Sequence, residues 1–484
     1  MSRLSSLPGG LPASALLLLA LLVTGFGLAA SPLLAAGAVF GIAMIAATLA
    51  WPVVVVGVML VLGPVDLAFL TGGARGLLPA LGGLDMSGIR LIGISAGLGT
   101  VILTRRDLLR GLLAPEARWY TLFLLWAAAT LAISPDRLEG LRLLLKVTYP
   151  LLLFLVVAGA DRTPGQVRGL ADAALWGATI ILLLNPFVVA NGGYAVEAGQ
   201  VLRVSGPGSH HNPFSFYLLT ILLICVARFR TRGHVRYLLL GSVALVWMAL
   251  TLTRITFLAS LVAVGVAAIY AAVVDRSMRA LLTMVGVGLL IGALVIRGVL
   301  ERTFGYVPTG GQLLTLMADP VALYEAVNWQ GRETLWGILW VVFLQSPLIG
   351  SGLGAASAAL VATLGEGAPH NEYLRLAVDV GIVGFVLFIL AMAGWTRAVV
   401  RAARDGKTDP LCQELAMPAL AGLAALAVIA TTDNAFDYYA PFTQYLAFLC
   451  AGCVALGRAR STSAVAPEAI APPPSTSELL ATAP

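Results

Sequence analysis

Residues Ile255 to Val274 read ITFLASLVAVGVAAIYAAVV, a stretch without a single charged side chain. A helix that crosses the hydrocarbon core of a bilayer needs about 20 mostly apolar residues, so this stretch predicts a membrane-spanning helix. The same pattern recurs along the chain. It predicts fourteen spans, at residues 11–30, 33–50, 51–70, 88–104, 118–134, 140–159, 171–190, 212–229, 236–253, 255–274, 280–299, 375–396, 416–432 and 438–457.

The composition of the whole chain excludes a soluble protein. Of its 484 residues, 59% are hydrophobic and only 11% are charged, and the mean hydropathy is +0.93. A soluble domain carries about 25% charged residues, and this chain has too few to cover a water-facing surface. The predicted fold class is therefore all-α, a polytopic transmembrane helical bundle with about 12–14 spans.

The basic residues predict how the bundle is oriented. Arginine-rich short loops mark the cytoplasmic side of a membrane. With the N-terminus inside, the basic loops at Arg105, Arg228, Arg276 and Arg397 all fall on that side. The chain then divides into N-terminal spans (1–199), spans around Arg203 and Arg254 (200–299), one large outer loop (300–374), C-terminal spans (375–460) and a disordered cytoplasmic tail (461–484).

The remaining basic residues fall on the outer side or inside helices. They are Arg75, Arg90, Arg137, Arg142, Lys146, Arg203, Arg254, Arg297, Arg302, Arg332 and Arg375. Ionisable groups at membrane depth are costly and usually mark a function. Arg142 and Lys146 are four residues apart and share one helix face. For any single arginine, snorkelling or a salt bridge is the alternative, and Arg375 has a candidate partner in Asp379.

Such a group of cations predicts an anionic ligand at the outer face. A polyprenyl diphosphate fits, because its charged head sits at the interface while its tail stays in the lipid. Bidentate arginine–phosphate pairs would hold the head.

Two histidine segments lie on the same predicted side. His211 and Asn212 follow Arg203 in the segment that ends at Pro213, and His370 and Asn371 close the long outer loop. A histidine there can be neutral near pH 7 and accept a proton from a hydroxyl. The alternative is a loop histidine that only makes local hydrogen bonds.

Other familiar chemical signatures are missing from the sequence. It has no Walker lysine loop, no HExxH, no Cys/His cluster with metal-ligand spacing and no Asp-x-Asp motif. Asp433 and Asp437 flank a short outer turn but do not make a convincing metal pair. We therefore expect no cofactor and no metal.

Several short motifs resemble those of the O-antigen ligase/polymerase superfamily. They are Gly331-Arg332 with Trp336, Pro347-Leu-Ile-Gly-Ser-Gly-Leu-Gly354, His370-Asn-Glu-Tyr-Leu374, Gly381-Ile-Val-Gly384, Arg203 with His211-Asn-Pro213, and Leu252-Thr-Arg-Ile-Thr256. Their order and spacing are more specific than any one of them, and they cover roughly residues 200–395.

The resemblance implies a GT-C-like, metal-independent, inverting glycosyltransferase in the bacterial inner membrane. It would move a glycan from undecaprenyl diphosphate to an acceptor hydroxyl at the periplasmic face. By this resemblance His370 is the catalytic general base, and Arg203, Arg254 and Arg332 bind the diphosphate. We add Arg142 and Lys146 to the diphosphate site, and expect substrate contacts from His211, Asn212, Asn371 and Arg375.

Within the superfamily a ligase and a polymerase differ in their acceptor. A ligase uses the lipid A–core oligosaccharide, and a polymerase of O-antigen or exopolysaccharide uses another lipid-linked repeat unit. Gly381 lies eleven positions after His370, a spacing that favours a ligase. A protein O-oligosaccharyltransferase is a third alternative.

Two readings from other classes fit the sequence less well. A lipid-linked glycan transporter or flippase would show related halves and polar groups near the bilayer midplane. Neither pattern is present. A purely structural membrane protein gives no reason to bury arginines.

Overall fold

The computed structural model describes residues 42–65, 86–159, 163–192, 194–197, 201–208, 210–275, 278–329 and 331–465. Most of these residues are helical. The one sheet in these ranges is an antiparallel hairpin of β1 (Tyr194–Glu197) and β2 (Val201–Val204), which places Arg203 opposite Ala195. The prediction of an all-α bundle is confirmed.

The helices of the first half begin and end at well-defined positions. They are α1 (42–50), α2 (Pro52–Leu62), α3 (Met86–Thr104), α4 (Arg106–Gly111), α5 (Arg118–Thr130), α6 (Arg137–Val157) and α7 (Pro164–Ala190). Asp136 caps α6 by accepting from the next free backbone N–H groups. Thr163 and Gln166 form a reciprocal capping box at the start of α7.

The second half continues in the same way. Its helices are α8 (His211–Arg232), α9 (Val235–Leu250), α10 (Arg254–Tyr270), α11 (Met278–Phe304), α12 (Gly310–Ala318), α13 (Pro320–Ala326), α14 (Arg332–Gln345), α15 (Ala355–Leu364), α16 (Glu372–Asp405), α17 (Pro410–Ile429) and α18 (Gln444–Val465). The last helix extends five residues past residue 460, and residues 466–484 of the predicted tail lie outside the described residues.

Each predicted span from 51–70 onward overlaps a helix among the described residues, and residues 66–70 lie outside them. Seven helical segments within the described ranges are long and apolar enough to cross a membrane, and others, such as α2 with 11 residues, are shorter. The predicted number of spans stays a prediction. The predicted span 11–30, most of span 33–50 and Arg75 lie outside the described residues.

Two helices occupy the centre of the bundle. In α8 and in the segment that contains α18, 89% of the most apolar 18-residue stretch is buried. Other helices surround them, and an aromatic stack of Tyr120, Trp395 and Phe154 joins α5, α16 and α6 with ring centroids 5.1 Å apart. Because α8 and α18 are enclosed, polar residues at their ends lie next to polar residues of neighbouring helices.

The predicted outer loop, residues 300–374, is folded into short helices. α14 and α15 pack on α16 through a separate apolar cluster that includes Leu335, Leu360 and Val378. α16 is interrupted at Gly381, whose φ of +67° is a left-handed conformation, and a Cβ there would collide with the carbonyl of Leu348. The backbone N–H of Ile382 donates to the carbonyl of Pro347 at 2.9 Å. Two of the sequence motifs are thus two sides of one packing contact.

Candidate functional site

A chain of buried hydrogen bonds joins the ends of α8 and α10 to the turn before α18. The Asn212 amide donates to Asp433 Oδ2 at 2.6 Å, and the Thr253 hydroxyl donates to Asn212 Oδ1 at 3.4 Å. Arg203 donates to the Thr253 hydroxyl at 3.3 Å and to the carbonyl of Thr251 at 3.0 Å. All four side chains are buried. The predicted residues Arg203 and Asn212 are therefore brought together through the Thr253 hydroxyl, which lies just before α10.

Asp433 lies at the centre of this series of hydrogen bonds. Its carboxylate also accepts from the Tyr438 hydroxyl at 3.0 Å and from the backbone N–H of Asn434 at 2.8 Å. Burial raises the pKa of Asp433 above its usual range, although the hydrogen bonds and the nearby Arg332 guanidinium act in the opposite direction. Three donors on one buried carboxylate fix the geometry of the turn.

His370 lies across the same turn and has a strained backbone. Its φ of +50° is rare for a residue with a side chain. Its backbone N–H donates to Asn434 Oδ1 at 2.7 Å, and the preceding carbonyl, of Pro369, accepts from the Trp336 indole at 3.3 Å. Burial, then the positive charge of Arg332, lower the pKa of His370 to about 4, so that its imidazole is neutral at pH 7.

Arg332 is the first residue of α14 and follows Gly331, which adopts φ +77°. Its guanidinium is half-buried. It makes no hydrogen bond or ion pair with any of the residues that the structure describes. Burial lowers the pKa of Arg332, and Asp433 and Tyr438 oppose that shift. A desolvated cation whose donors are not used by the described residues is suited to bind an anionic ligand.

Arg254, in contrast, is bound to the protein. It donates to the carbonyls of Arg302 at 3.1 Å and Asn328 at 3.0 Å, and Arg302 donates to the carbonyl of Leu252 at 2.6 Å. Leu252 has a left-handed φ of +49°. Arg254 therefore ties the start of α10 to the end of α11 and to the outer segment before α14.

The two adjacent histidines begin α8. His210 Nδ1 accepts from the backbone N–H of Asn212 at 3.2 Å, which caps the helix. The rings of His210 and His211 lie 4.1 Å apart, and His211 is half-buried. His210 is near enough to His370 to contribute to its lowered pKa.

Lys146 and Arg375 belong to a second, separate ion-pair network. Lys146 lies 2.6 Å from Asp437 Oδ1, and Arg375 lies 3.1 Å from Asp437 Oδ2 and 3.3 Å from Glu372. The alternative partner of Arg375, Asp379, makes no ion pair with it among the described residues, although the two charges interact electrostatically. The Asp379 carboxylate accepts from the backbone N–H of Ala356 at 2.8 Å. This network neutralises buried acids between α6, α16 and the turn before α18.

The other predicted residues have local partners. Asn371 caps α16 by accepting from the backbone N–H of Leu374 at 3.0 Å. Arg142 lies 3.5 Å from Glu139 on its own helix. Their predicted contacts with substrate, and those of Lys146 and Arg375, stay predictions.

Sequence reasoning missed Asn434, Tyr438 and Thr253 as parts of the site. The signal for the first two was present in Thr432-Asp-Asn-Ala-Phe-Asp-Tyr438, a polar turn between two apolar spans. Within the described ranges, no group of three or more His, Cys, Asp or Glu side chains is arranged to hold a metal ion.

One comparison with known proteins finds a matching family model. Residues 221–389 match the family model described as O-antigen ligase. The match includes Arg254, Arg332 and His370, and it confirms the predicted resemblance to the O-antigen ligase superfamily. None of the curated proteins matches the chain.

Proposed function

We propose that this chain is a membrane glycosyltransferase of the O-antigen ligase type. It moves a glycan from undecaprenyl diphosphate to an acceptor hydroxyl at the periplasmic face of the bacterial inner membrane. The observation that carries the proposal is that the Arg332 guanidinium lies near enough to His370 to lower the pKa of its imidazole, within the segment that matches the O-antigen ligase family.

The diphosphate is proposed to bind at Arg332. The N-termini of α8, α10, α14 and α16 lie around the site, and the positive ends of these helix dipoles favour an anion there. Arg203 and Arg254 add positive charge from sites fixed by hydrogen bonds to the protein. The ion pairs of Lys146 and Arg142 favour a structural role for those two residues.

The proposed transfer breaks the bond between the sugar C1 and the diphosphate oxygen, and the electron pair leaves with undecaprenyl diphosphate. The acceptor oxygen bonds to C1 and loses its proton. Fixed arginines stabilise the charge that develops on the leaving group. Two roles suit the neutral imidazole of His370: to accept the hydroxyl proton, as the sequence predicts, or to donate a hydrogen bond to an oxygen.

Metal independence and inversion at C1 are part of the proposal. We expect transfer to continue in excess EDTA and the product linkage to have the anomeric configuration opposite to that of the donor. A retained configuration, read from the NMR coupling constants of the new linkage, would exclude the inverting mechanism.

The direct test uses purified protein in phospholipid vesicles. The donor is lipid-linked glycan extracted from membranes of the organism that carries the gene, and the acceptor is its lipid A–core. Free undecaprenyl diphosphate should appear only when both are present. Movement of the donor across the bilayer without its cleavage would favour the flippase instead.

The acceptor separates a ligase from a polymerase, and the spacing of eleven positions between His370 and Gly381 favours a ligase. Deletion of the gene should leave uncapped lipid A–core on a gel while long lipid-linked polymer accumulates. A core capped by a single repeat would show a polymerase. We also expect purified protein to elongate lipid-linked repeats poorly.

A further inference from the structure

Asn434 contacts His370 at both ends of its side-chain amide. The amide oxygen accepts the backbone N–H of His370 at 2.7 Å, and the amide nitrogen lies 3.4 Å from the imidazole Nδ1. Asn434 is only 5% exposed. Its own backbone N–H donates to Asp433 at 2.8 Å, which fixes the residue in the turn.

The first contact determines which way round the amide lies. A backbone N–H is only a donor, so the group that faces it at 2.7 Å must be the amide oxygen. The NH₂ group then has to face the imidazole Nδ1. Since NH₂ donates and cannot accept, Nδ1 must offer a lone pair, and the proton of a neutral ring must be on Nε2.

We infer that Asn434 is a positioning residue that holds the imidazole of His370 in the tautomer with its proton on Nε2. Asn434 also holds the left-handed backbone of His370, so one side chain fixes the position and the protonated nitrogen together. The opposite tautomer would point the Nδ1 proton at the Asn434 NH₂ group, which places two donors face to face.

The tautomer decides between the two roles of His370. An Nε2 that carries a proton cannot take one from the acceptor hydroxyl, whereas it can donate a hydrogen bond to an oxygen. Only this step rests on the proposed function. In the proposed transfer, His370 donates from Nε2 to an oxygen of the substrate as negative charge develops there. The proton of the acceptor hydroxyl then passes to water.

The tautomer itself can be measured without any substrate. Protein labelled with ¹⁵N-histidine in nanodiscs at pH 7 gives separate signals for protonated and unprotonated ring nitrogens, and His370→Gln identifies the signals of this ring. We expect Nε2 to be protonated and Nδ1 to be unprotonated. A ring protonated on Nδ1, or an even mixture of both tautomers, would overturn the inference even if transfer is observed.

Asn434→Asp tests the role of the tautomer, because a carboxylate accepts from Nδ1–H and reverses the preference. We expect the ring proton to move to Nδ1, the pKa of His370 to rise above about 4, and kcat to fall about 10- to 100-fold. The donor KM should change by less than about threefold, since a hydrogen bond made only in the transition state affects kcat. Unchanged or higher kcat in a ring shown to carry Nδ1–H would contradict the donor role and favour the general base.

Asn191→Asp is the matched control. Asn191 is exposed at the end of α7, on the same predicted side of the membrane. Among the described residues, its side chain donates to the carbonyl of Phe187 on its own helix. The substitution Asn191→Asp introduces the same charge as Asn434→Asp. It should leave both the ¹⁵N spectrum of His370 and the kcat of transfer unchanged. If wild-type protein shows the Nε2–H tautomer but transfers no glycan, the proposed function fails while the assignment of Asn434 stands.

Discussion

Asn212 and Asp433 are 221 residues apart in sequence, yet the amide of one donates to the carboxylate of the other at 2.6 Å. This contact connects the Arg203–Thr253 side of the site to the turn that carries Asn434 and thereby His370. It makes the position of His370 depend on α8 and on the start of α10 as well as on the turn after α17.

Replacement of Asp433 by Asn should destabilise the protein. Both carboxylate oxygens of Asp433 accept hydrogen bonds. In Asp433→Asn, the new NH₂ group would face the NH₂ group of Asn212, and two donors cannot bond to each other. We expect a loss of about 1–3 kcal/mol in the free energy of unfolding, read from the denaturation midpoint in detergent. The double variant Asn212→Asp with Asp433→Asn exchanges donor and acceptor and should recover part of the loss.

A control for this experiment is Asp136→Asn. Asp136 is an exposed cap of α6, and Asn caps helices about as well as Asp. Equal destabilisation by both variants would show that the effect of Asp433 is not specific to the site.

Arg332→Ala should abolish most of the transfer activity while the protein still inserts and folds. Loss of a fixed donor to a developing negative charge reduces rates by about 10²- to 10³-fold. Arg332→Lys keeps the charge but loses the planar fork, so we expect an intermediate rate. Arg297→Ala removes an exposed arginine from the same predicted side and should have no effect. Near-normal transfer by Arg332→Ala would remove Arg332 from the mechanism.

The pKa of His370 should respond to the charge of Arg332. Burial and the guanidinium both lower it to about 4, so Arg332→Ala should raise it while burial keeps it below the ordinary value of about 6.5. The NMR titration used for the tautomer measures this directly. No change would mean that the two side chains do not share a site.

The same shift gives the folded protein a defined pH dependence. Between about pH 6.5 and pH 4, the unfolded chain binds a proton at His370 and the folded chain does not. The contribution of His370 to stability is therefore complete above that window and is lost as the pH falls through it.

Arg375 and Lys146 should differ strongly in their effect on stability. Arg375 is 2% exposed and pairs with Glu372, which is 1% exposed. Arg375→Ala leaves this buried carboxylate without its cation and should cost about 3–5 kcal/mol, although Asp437 keeps Lys146. Lys146 is 25% exposed. In Lys146→Ala, Asp437 still has Arg375 as an ion-pair partner, so the substitution should cost about 1 kcal/mol. Lys146→Ala should also leave the donor KM unchanged. A large rise in the donor KM would instead support the prediction that Lys146 binds the diphosphate.

The sequence predicted the helices well because each span carries its own signal. A stretch such as Ile255 to Val274 is too apolar to be anything but a membrane or core helix. The motifs also predicted that Arg203, Asn212, Arg332 and His370 belong together. The structure places them around the Asp433 turn, where Asn212 contacts Asp433 and Arg332 and His370 affect each other's environment.

The partners of individual cations could not be predicted in this way. Lys146 and Arg332 look alike as basic residues on the outer side, but one has a carboxylate 2.6 Å away and the other makes no such pair with any described residue. Asp437, the partner of Lys146, lies 291 residues further along the chain. Only tertiary packing brings such residues together, so sequence spacing carries no signal for the pair. Asn434 lies in a polar turn that the sequence shows, but its contact with His370, 64 residues earlier, could not be predicted from spacing.

The binding of undecaprenyl diphosphate tests the central claim most directly. Protein in nanodiscs of zwitterionic lipid would be titrated with undecaprenyl diphosphate and, separately, with undecaprenyl monophosphate. Our account predicts tighter binding of the diphosphate, a loss of about tenfold or more in Arg332→Ala, and no change in Arg297→Ala. Equal affinity for the two lipids, or unchanged affinity in Arg332→Ala, would contradict it.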